Sequence, residues 1–334
     1  MKRKAVALLS GGLDSTLAVK VMLEQGIEIE ALNFTSPFCT CTGKNAGCKS
    51  EAVRVAEEFG VPIKVMNKGI EYLEVVRNPR HGYGKAINPC VDCRIFLLTK
   101  AREYLKESGA DFVITGEVLG QRPMSQRRHT LQIIERESGL EGLLLRPLSA
   151  KHFPETTPEK EGWVDREKLL AIQGRSRKEQ MELAEELDVT NYPCPAGGCM
   201  LTEVSFAPKV RDLFDHSGEL DMRDFRLLKL GRHFRLGPRT KLLIGRNEAE
   251  NETLIAHAQP REATIRWIGG GSPIGLLMGT VTPEMIDTAS RILLRYTRAE
   301  PGSSCTIGIS RGGIDEAIDI PNSYDETAAD SYRI

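Results

Sequence analysis

No stretch of this sequence approaches the ~18 consecutive apolar residues that a membrane-spanning helix needs, and residues 5–9 already read as a buried strand. Neither a span nor a secretion signal is therefore expected, and the cytoplasm is the expected compartment. In that compartment the eight cysteines read as thiols, metal ligands or transient redox partners rather than structural disulfides. Charge of one sign is also missing: 45 basic residues meet 46 acidic ones, so only the local distribution of charge can point to a partner. Internal repeats and low-complexity segments are absent. The six histidines show no H-x-x-x-H spacing; only His129, beside Arg127 and Arg128, stands out. Also missing are Gly-Lys-Ser/Thr of the Walker loop and the dinucleotide fingerprint G-x-G-x-x-G.

A different glycine turn is present. Ser10-Gly-Gly-Leu-Asp-Ser-Thr16 follows the apolar run Ala5-Val-Ala-Leu-Leu9 and precedes the amphipathic Leu17–Leu23. A strand, a tight turn and a helix start bring several backbone N–H groups and the positive end of a helix to one point, which suits phosphate. Gly11 and Gly12 permit close approach and positive φ. Ser10, Ser15 and Thr16 add hydroxyls, and Asp14 is placed to hold Mg²⁺ on phosphate oxygens. The competing reading is a capped helix start with no ligand; two glycines and three hydroxyls are more than capping requires.

Strand-like and helix-like stretches then alternate. Strands are expected at 27–34, 61–66, 111–115 and 142–146, with helices at 49–59 and 94–108. This predicts an α/β domain: a five-stranded parallel sheet with helices on both faces, its ligands at the carboxyl ends of the strands. The loops after strands one, two, four and five are the expected sites of chemistry. Residues 1–203 are expected to form this domain, with 150–203 appended to it, carrying a helix near 176–187. The texture changes near 203–207. A smaller α+β domain is expected over 207–321 and a flexible polar tail over 322–334.

The cysteines fall into groups. Cys90-Val-Asp-Cys93 lies immediately before a predicted helix, whose N-terminus lowers a thiol's pKa. Cys194-Pro-Ala-Gly-Gly-Cys199 comes a hundred residues later, and Cys39, Cys41 and Cys48 sit after strand two. Cys90, Cys93 and Cys199 (or Cys194) could hold three irons of a [4Fe–4S] cluster with the fourth iron open. Alternatively, Cys93 and Cys199 could be a nucleophile pair, one carrying a persulfide and the other closing a disulfide. Zinc on four thiolates is a third possibility. Inert thiols are the bland reading, and it fits Cys305 best.

Ser10–Thr16 resembles the SGGxDS/T signature of the PP-loop ATP pyrophosphatases. Thr115-Gly-Glu-Val-Leu-Gly-Gln121 with Ser125-Gln126, and Leu145-Arg-Pro-Leu148, are similar to elements of tRNA 4-thiouridine synthetases. Asn88-Pro-Cys-Val-Asp-Cys93 resembles the segment carrying the first catalytic cysteine of tRNA 2-thiouridylases, and its CxxC form also matches the cluster-dependent thiouridine synthetases. Cys199 falls where these families place a later catalytic or cluster cysteine. Phe234-Arg-Leu-Gly237 and Leu243–Asn251 resemble the NFACT-R module, an RNA-binding domain. The resemblance implies an enzyme that splits ATP to AMP and pyrophosphate, adenylates a uridine carbonyl oxygen of tRNA and replaces it with sulfur. ATP and Mg²⁺ would be its cofactors, with either a [4Fe–4S] cluster or a persulfide as sulfur carrier. The sulfur donor would be a cysteine desulfurase or sulfide. Implied ATP contacts are Ser10, Gly11, Gly12, Leu13, Asp14, Ser15, Thr16, Asn33, Gly116, Glu117 and Gln121; implied catalytic residues are Asp14, Cys93 and Cys199. Neither the RNA-binding THUMP module nor the rhodanese-like domain of 4-thiouridine synthetases is found here, and nothing resembles a methyl-donor site.

Arg146, Lys151 and Gly174–Lys178 suit phosphates. From 223 to 246, eight basic residues face one acid. Arg226, Lys229, Arg232, Arg235, Arg239, Lys241 and Arg246 would track an RNA backbone, unless acids elsewhere in the chain pair with them. Phe225 and Phe234 are better placed in a core than on bases. Two further readings stand beside the main one: a PP-loop enzyme that adenylates a small molecule, and an RNA-binding factor with a non-catalytic nucleotide site.

Overall fold

The computed structural model describes residues 2–39, 48–192, 199–323 and 326–334. Cys41, Cys194 and most of the CPAGGC loop lie outside the described residues. The chain divides into two compact units, Met1–Val204 and Ser205–Ile334.

The first unit has a parallel sheet of β1 (Lys4–Leu8), β2 (Glu28–Thr35), β3 (Ile63–Asn67), β4 (Phe112–Thr115) and β5 (Leu144–Leu145), in the order β3-β2-β1-β4-β5. Its helices are α1 (Leu13–Glu24), α2 (Cys48–Glu58), α3 (Gly69–Arg77), α4 (Cys90–Ser108), α5 (Arg128–Ser138), α6 (Thr157–Lys160) and α7 (Lys178–Glu186). Successive β1 residues serve opposite faces. Ala5 and Ala7 pack with Val19, Met22 and Val55 of α1 and α2, while Val6 packs with Leu98 and Ala101 of α4 and Ile134 of α5. Both faces are therefore covered, as an all-parallel sheet requires. Leu8 of β1 is in register with Leu32 of β2 and with Thr115 of β4. The chain leaves β1 toward β2 and β3, then returns to β1's other side as β4. That reversal opens a crevice at the carboxyl ends of β1 and β4.

Three helices were not legible in the sequence, α3, α5 and the single-turn α6, and one boundary moves. Cys90 and Cys93 lie inside the first turn of α4, not before it, because Pro89 takes the position ahead of the helix and its carbonyl accepts from Cys93 N–H at 2.8 Å.

The second unit contains α8 (Ala207–His216), α9 (Met222–Leu227) and an antiparallel sheet of β6 (Arg232–Gly237), β7 (Thr240–Ile244), β8 (Ala263–Trp267), β9 (Gly275–Gly279), β10 (Ser304–Arg311) and β11 (Ile314–Pro321), in the order β11-β10-β8-β9-β7-β6. Helices α10 (Glu248–His257) and α11 (Pro283–Leu294) complete it. Phe225 and Phe234 are fully buried, so neither offers a base a stacking surface. The expected flexible tail is a correction. Residues 326–331 form a helix, α12 (Glu326–Ser331), with Ala329 in the core. Beyond it Tyr332 O accepts from Arg235 N at 2.7 Å and Ile334 N donates to His233 O at 3.0 Å, satisfying the free edge of β6.

Candidate active site

The turn after β1 is held by its own backbone. Gly11 has φ +76°, and a Cβ there would lie 2.6 Å from Ala52 N and from the Glu51 carbonyl carbon of α2. Gly12 is extended and precedes α1 without a side-chain cap, leaving the first helical N–H groups open to an anion. Gly116, just past β4, comes so near the Asp14 carbonyl that a Cβ would collide with it and stand 2.5 Å from Ser15 N. Two loops from adjacent strands thus meet backbone to backbone at the crevice.

The hydroxyls behave differently from expectation. Ser15 and Thr16 are buried and both donate to Gly12 O, at 2.9 and 3.1 Å, while Ser10 Oγ and Ser15 Oγ share a hydrogen at 3.0 Å. They brace the turn; of the three, only Ser10 is exposed. The Leu13 side chain is core, so only its N–H is available to a ligand.

Around the crevice several buried oxygens have no hydrogen-bond partner among the described residues. Gln121 Nε2 donates to Asp14 Oδ2 at 2.9 Å, and Asn33 Nδ2 donates to Leu9 O at 2.8 Å. Asp14 Oδ1, Asn33 Oδ1, Gln121 Oε1 and Glu117 Oε1 receive no hydrogen bond. Buried acceptors left unsatisfied cost about 1–3 kcal/mol each, so a cluster of them at a phosphate cradle marks a place where donors or a cation belong. Asp14 with a free oxygen fits Mg²⁺.

Glu117 and Arg146 need correcting. Glu117 is 2% exposed, with Oε2 accepting from Arg146 Nε at 3.2 Å and Oε1 3.7 Å from Arg94 Nε. Arg146 also donates to Glu135 at 2.8 Å. Arg146 is therefore a buried tie between β5 and the β4 loop rather than a phosphate ligand. Lys151 points elsewhere, bonding Glu167 O at 3.0 Å.

The sulfur side is built by loops after β2 and β3 and by α4. Cys93 Sγ lies 3.3 Å from Lys68 Nζ, and that ammonium stands 4.2 Å over the Tyr72 ring. Burial pushes the Cys93 thiol up, but Lys68, the Tyr72 hydroxyl and Arg94 together outweigh it and hold the thiol below its ordinary value. Tyr72 moves the opposite way: burial and then Cys93 raise it well above a free phenol, so it stays a donor. Burial pushes Cys199 up to about 11. Cys199 pairs with Cys39 in an isolated antiparallel bridge, and Met200 N donates to Phe38 O at 2.9 Å. Cys90 Sγ donates to Ser125 Oγ at 3.3 Å. Cys93 interacts directly with the Tyr72 hydroxyl, and Cys199 and Cys90 lie within electrostatic range of it. Among the described residues, however, no three His, Cys, Asp or Glu side chains stand at metal-holding distances. Cys305 is buried in the second unit, in its apolar core.

Lys68 and Tyr72 were missed in the sequence. The signal available was position: Lys68 follows β3, the one strand of the first four whose following loop was not expected to carry chemistry.

In the second unit the basic stretch is largely neutralised. Arg235 Nε and Nη2 donate to Asp212 at 2.8 and 2.7 Å, and Lys241 Nζ to the same carboxylate at 2.8 Å. Arg223 pairs with Glu262 and Arg246 with Glu250. Arg232 lies over the Tyr296 ring at 4.3 Å. Arg235 and Lys241 are thus interior ties, a correction to their expected RNA contact; Arg226 and Arg239 remain exposed.

Residues 1–152 match the family model described as thiamine biosynthesis protein (ThiI). Residues 231–333 match the NFACT protein RNA binding domain. The tRNA-specific 2-thiouridylase MnmA of Leptospira interrogans is 30% identical over 128 residues, 34% of this chain and 34% of that protein. The enzyme of the same name from Clostridium acetobutylicum is 32% identical over 131 residues, 35% of this chain and 36% of its own. The chain thus spans about a third of the length of these curated relatives. Among solved structures, a 4-thiouridine synthetase in complex with RNA and ATP aligns over 68% of this chain and 52% of its own, at 23% identity and a TM-score of 0.38. No helix among the described residues is long and apolar enough to cross a membrane.

Proposed function

We propose that this protein is an ATP-dependent tRNA sulfurtransferase that adenylates a uridine carbonyl oxygen and replaces it with sulfur. The observation that carries this reading is that one unit holds both halves of the chemistry: the glycine cradle with its unsatisfied Asp14, and a cysteine kept acidic by Lys68 and Tyr72. The relatives named above are tRNA-specific 2-thiouridylases, an activity of the same class.

Oxide is a poor leaving group, so the carbonyl oxygen must be activated. The uridine oxygen attacks the α-phosphorus of ATP, pyrophosphate leaves, and that oxygen becomes part of AMP. The N–H groups from Gly12 to Ser15 receive the pyrophosphate charge, an electrostatic contribution of the kind that dominates such reactions. Asp14 would hold Mg²⁺, which when bound draws charge from the departing phosphate. Cys199 carries the sulfur as a persulfide, loaded by a cysteine desulfurase or by another sulfane donor. Its outer sulfur attacks the activated carbon and AMP departs with the C–O electron pair. The Cys93 thiolate then attacks the inner sulfur of Cys199, closing a Cys93–Cys199 disulfide and releasing the thiolated uridine; an external thiol reductant restores both cysteines. The attacking partner in such an exchange must be the thiolate, and Cys93 is the more acidic of the pair. Exposed Arg226 and Arg239 supply backbone-tracking charge for tRNA.

A second reading keeps the adenylation and places a [4Fe–4S] cluster on Cys90, Cys93 and Cys199, favoured by all three thiols lying within electrostatic range of Tyr72. The present side-chain arrangement does not suit it, because the Lys68 ammonium holds the Cys93 sulfur. Iron and acid-labile sulfide in anaerobically prepared protein separate the two. Mass spectrometry of tRNA nucleosides from cells with and without the gene tests the function itself. Loss of one thiolated nucleoside is the expected result. An unchanged profile, with no redundant enzyme, together with pyrophosphate release that tRNA does not stimulate, would favour a small-molecule acceptor.

A further inference from the structure

Arg122 has no role in the account so far. It lies in the loop after β4, one residue past the Gln121 that grips Asp14. Its backbone is fixed twice over: Arg122 N donates to Gln126 Oε1 at 2.9 Å, and Gln126 N returns a bond to Arg122 O at 3.2 Å. The loop is further pinned to the segment that leads into α7. Leu119 and Gln173 form a parallel bridge, Gly174 N donates to Leu119 O at 2.7 Å, and a Cβ on Gly120 would reach 3.5 Å from Gly174 N. Arg177, immediately before α7, lies within electrostatic range of Arg122.

The rigid backbone presents a side chain with nothing to bind. Among the described residues, the Arg122 guanidinium makes no hydrogen bond or ion pair, and neither does that of Arg177. Arg122 lies within electrostatic range of the Asp14 carboxylate, the Cys90 sulfur, Arg94 and Arg177. Arg122 reaches solvent, yet partial burial and then the like charge of Arg94 hold its guanidinium below the ordinary value, with Arg177 adding to the repulsion. Arg94 already has Glu117, and Glu117 is shared with Arg146. Positive charge is therefore in excess at a point between the cradle and the cysteines, and a planar fork suits a phosphate there.

We propose that Arg122, with Arg177 beside it, is a monophosphate site that holds the phosphate of AMP, first in the adenylated uridine and then as the leaving group. This rests on the adenylation reading and adds a step-specific role to it. When sulfur attacks the activated carbon, the C–O bond breaks and its electron pair stays on the AMP oxygen. A guanidinium at that phosphate lowers the cost of the departure, whereas pyrophosphate, already held by the cradle, does not need it.

The test compares binding of AMP and of inorganic pyrophosphate, each by calorimetry with Mg²⁺, to the full chain and to Arg122→Gln, Arg122→Lys and Arg177→Gln. The expected result is AMP binding weakened about tenfold or more by Arg122→Gln, partly recovered by Arg122→Lys, with pyrophosphate binding and melting temperature unchanged. Single-turnover assays should show pyrophosphate release kept and thiolation slowed. Unchanged AMP affinity overturns the proposal, as does absence of AMP binding in the wild type. Parallel loss of AMP and pyrophosphate also overturns it, since that marks general damage to the cradle. If tRNA fails to stimulate pyrophosphate release in the wild type, the tRNA reading falls, while the AMP comparison still judges the site.

Discussion

The two units treat charge in opposite ways. In the second, cations that the sequence crowds together are met by acids from other elements: Asp212 of α8 takes both Arg235 and Lys241, and Glu262 and Glu250 take Arg223 and Arg246. In the first, buried polar atoms are short of partners: Asp14 Oδ1, Asn33 Oδ1 and Gln121 Oε1 lack donors. A folded protein leaves such atoms unmatched only at some cost. The contrast separates charge that holds a fold from charge that awaits a ligand, a distinction that counting residues along the chain cannot make.

Breaking the ligand-waiting side should have the largest effects. Asp14→Ala is expected to lower AMP formation by about 10²–10³-fold, read from radiolabelled ATP turnover, with the melting temperature unaltered; wild-type turnover would remove Asp14 from the chemistry. Cys93→Ser is expected to end thiolation and leave pyrophosphate release intact, and thiolated product from this variant would sink the role given to Cys93. The thiols should also separate by pH. Because Cys93 is lowered and Cys199 is pushed up to about 11, mass-mapped iodoacetamide labelling should reach Cys93 at the lower pH, and Lys68→Met should bring the two profiles together.

Breaking the fold-holding side should cost stability instead. Asp212 is held down to about 2 against an ordinary 3.8, despite burial that pushes it up, by Arg235 and Lys241. Its folded value being depressed, the carboxylate stabilises above pH ~4 and the contribution, ~2 kcal/mol, fades as pH falls through about 2. Asp212→Asn leaves two enclosed cations without a countercharge and is expected to destabilise the second unit by about 3 kcal/mol in urea titrations. An unchanged midpoint would mean that those cations find water. The smallest effect belongs to Arg226→Gln and Arg239→Gln, which should each reduce the salt slope of tRNA binding by about one, with folding untouched.

How much of this was legible in the sequence follows the same division. Alternating strand and helix patterns gave the parallel sheet, because burial on both faces writes continuous apolar runs such as Ala5–Leu9. The cradle was legible because Gly11 and Gly116 are dictated by contacts too close for a Cβ. Glu117 and Arg146 looked like ligands because motif membership does not reveal whether a side chain faces the crevice or ties β5 to a neighbouring loop. The tail 322–334 looked mobile because its polar residues hide the backbone bonds that seat Tyr332 and Ile334 on β6. Lys68 carried no motif at all; only the position of β3 in the sheet places its loop beside Cys93.

The near-contact of Gly116 with the Asp14 carbonyl has a kinetic meaning. With no atom's width to spare between the two loops, the nucleotide cradle has little room to collapse when empty or to reshape itself around a guest. ATP should therefore be taken up as a key by a lock: amide hydrogen exchange at Thr16, Leu119 and Gly120, already bonded within the protein, should be slow before it arrives and barely slower afterwards, with the gain in protection confined to the open N–H groups of residues 13–15.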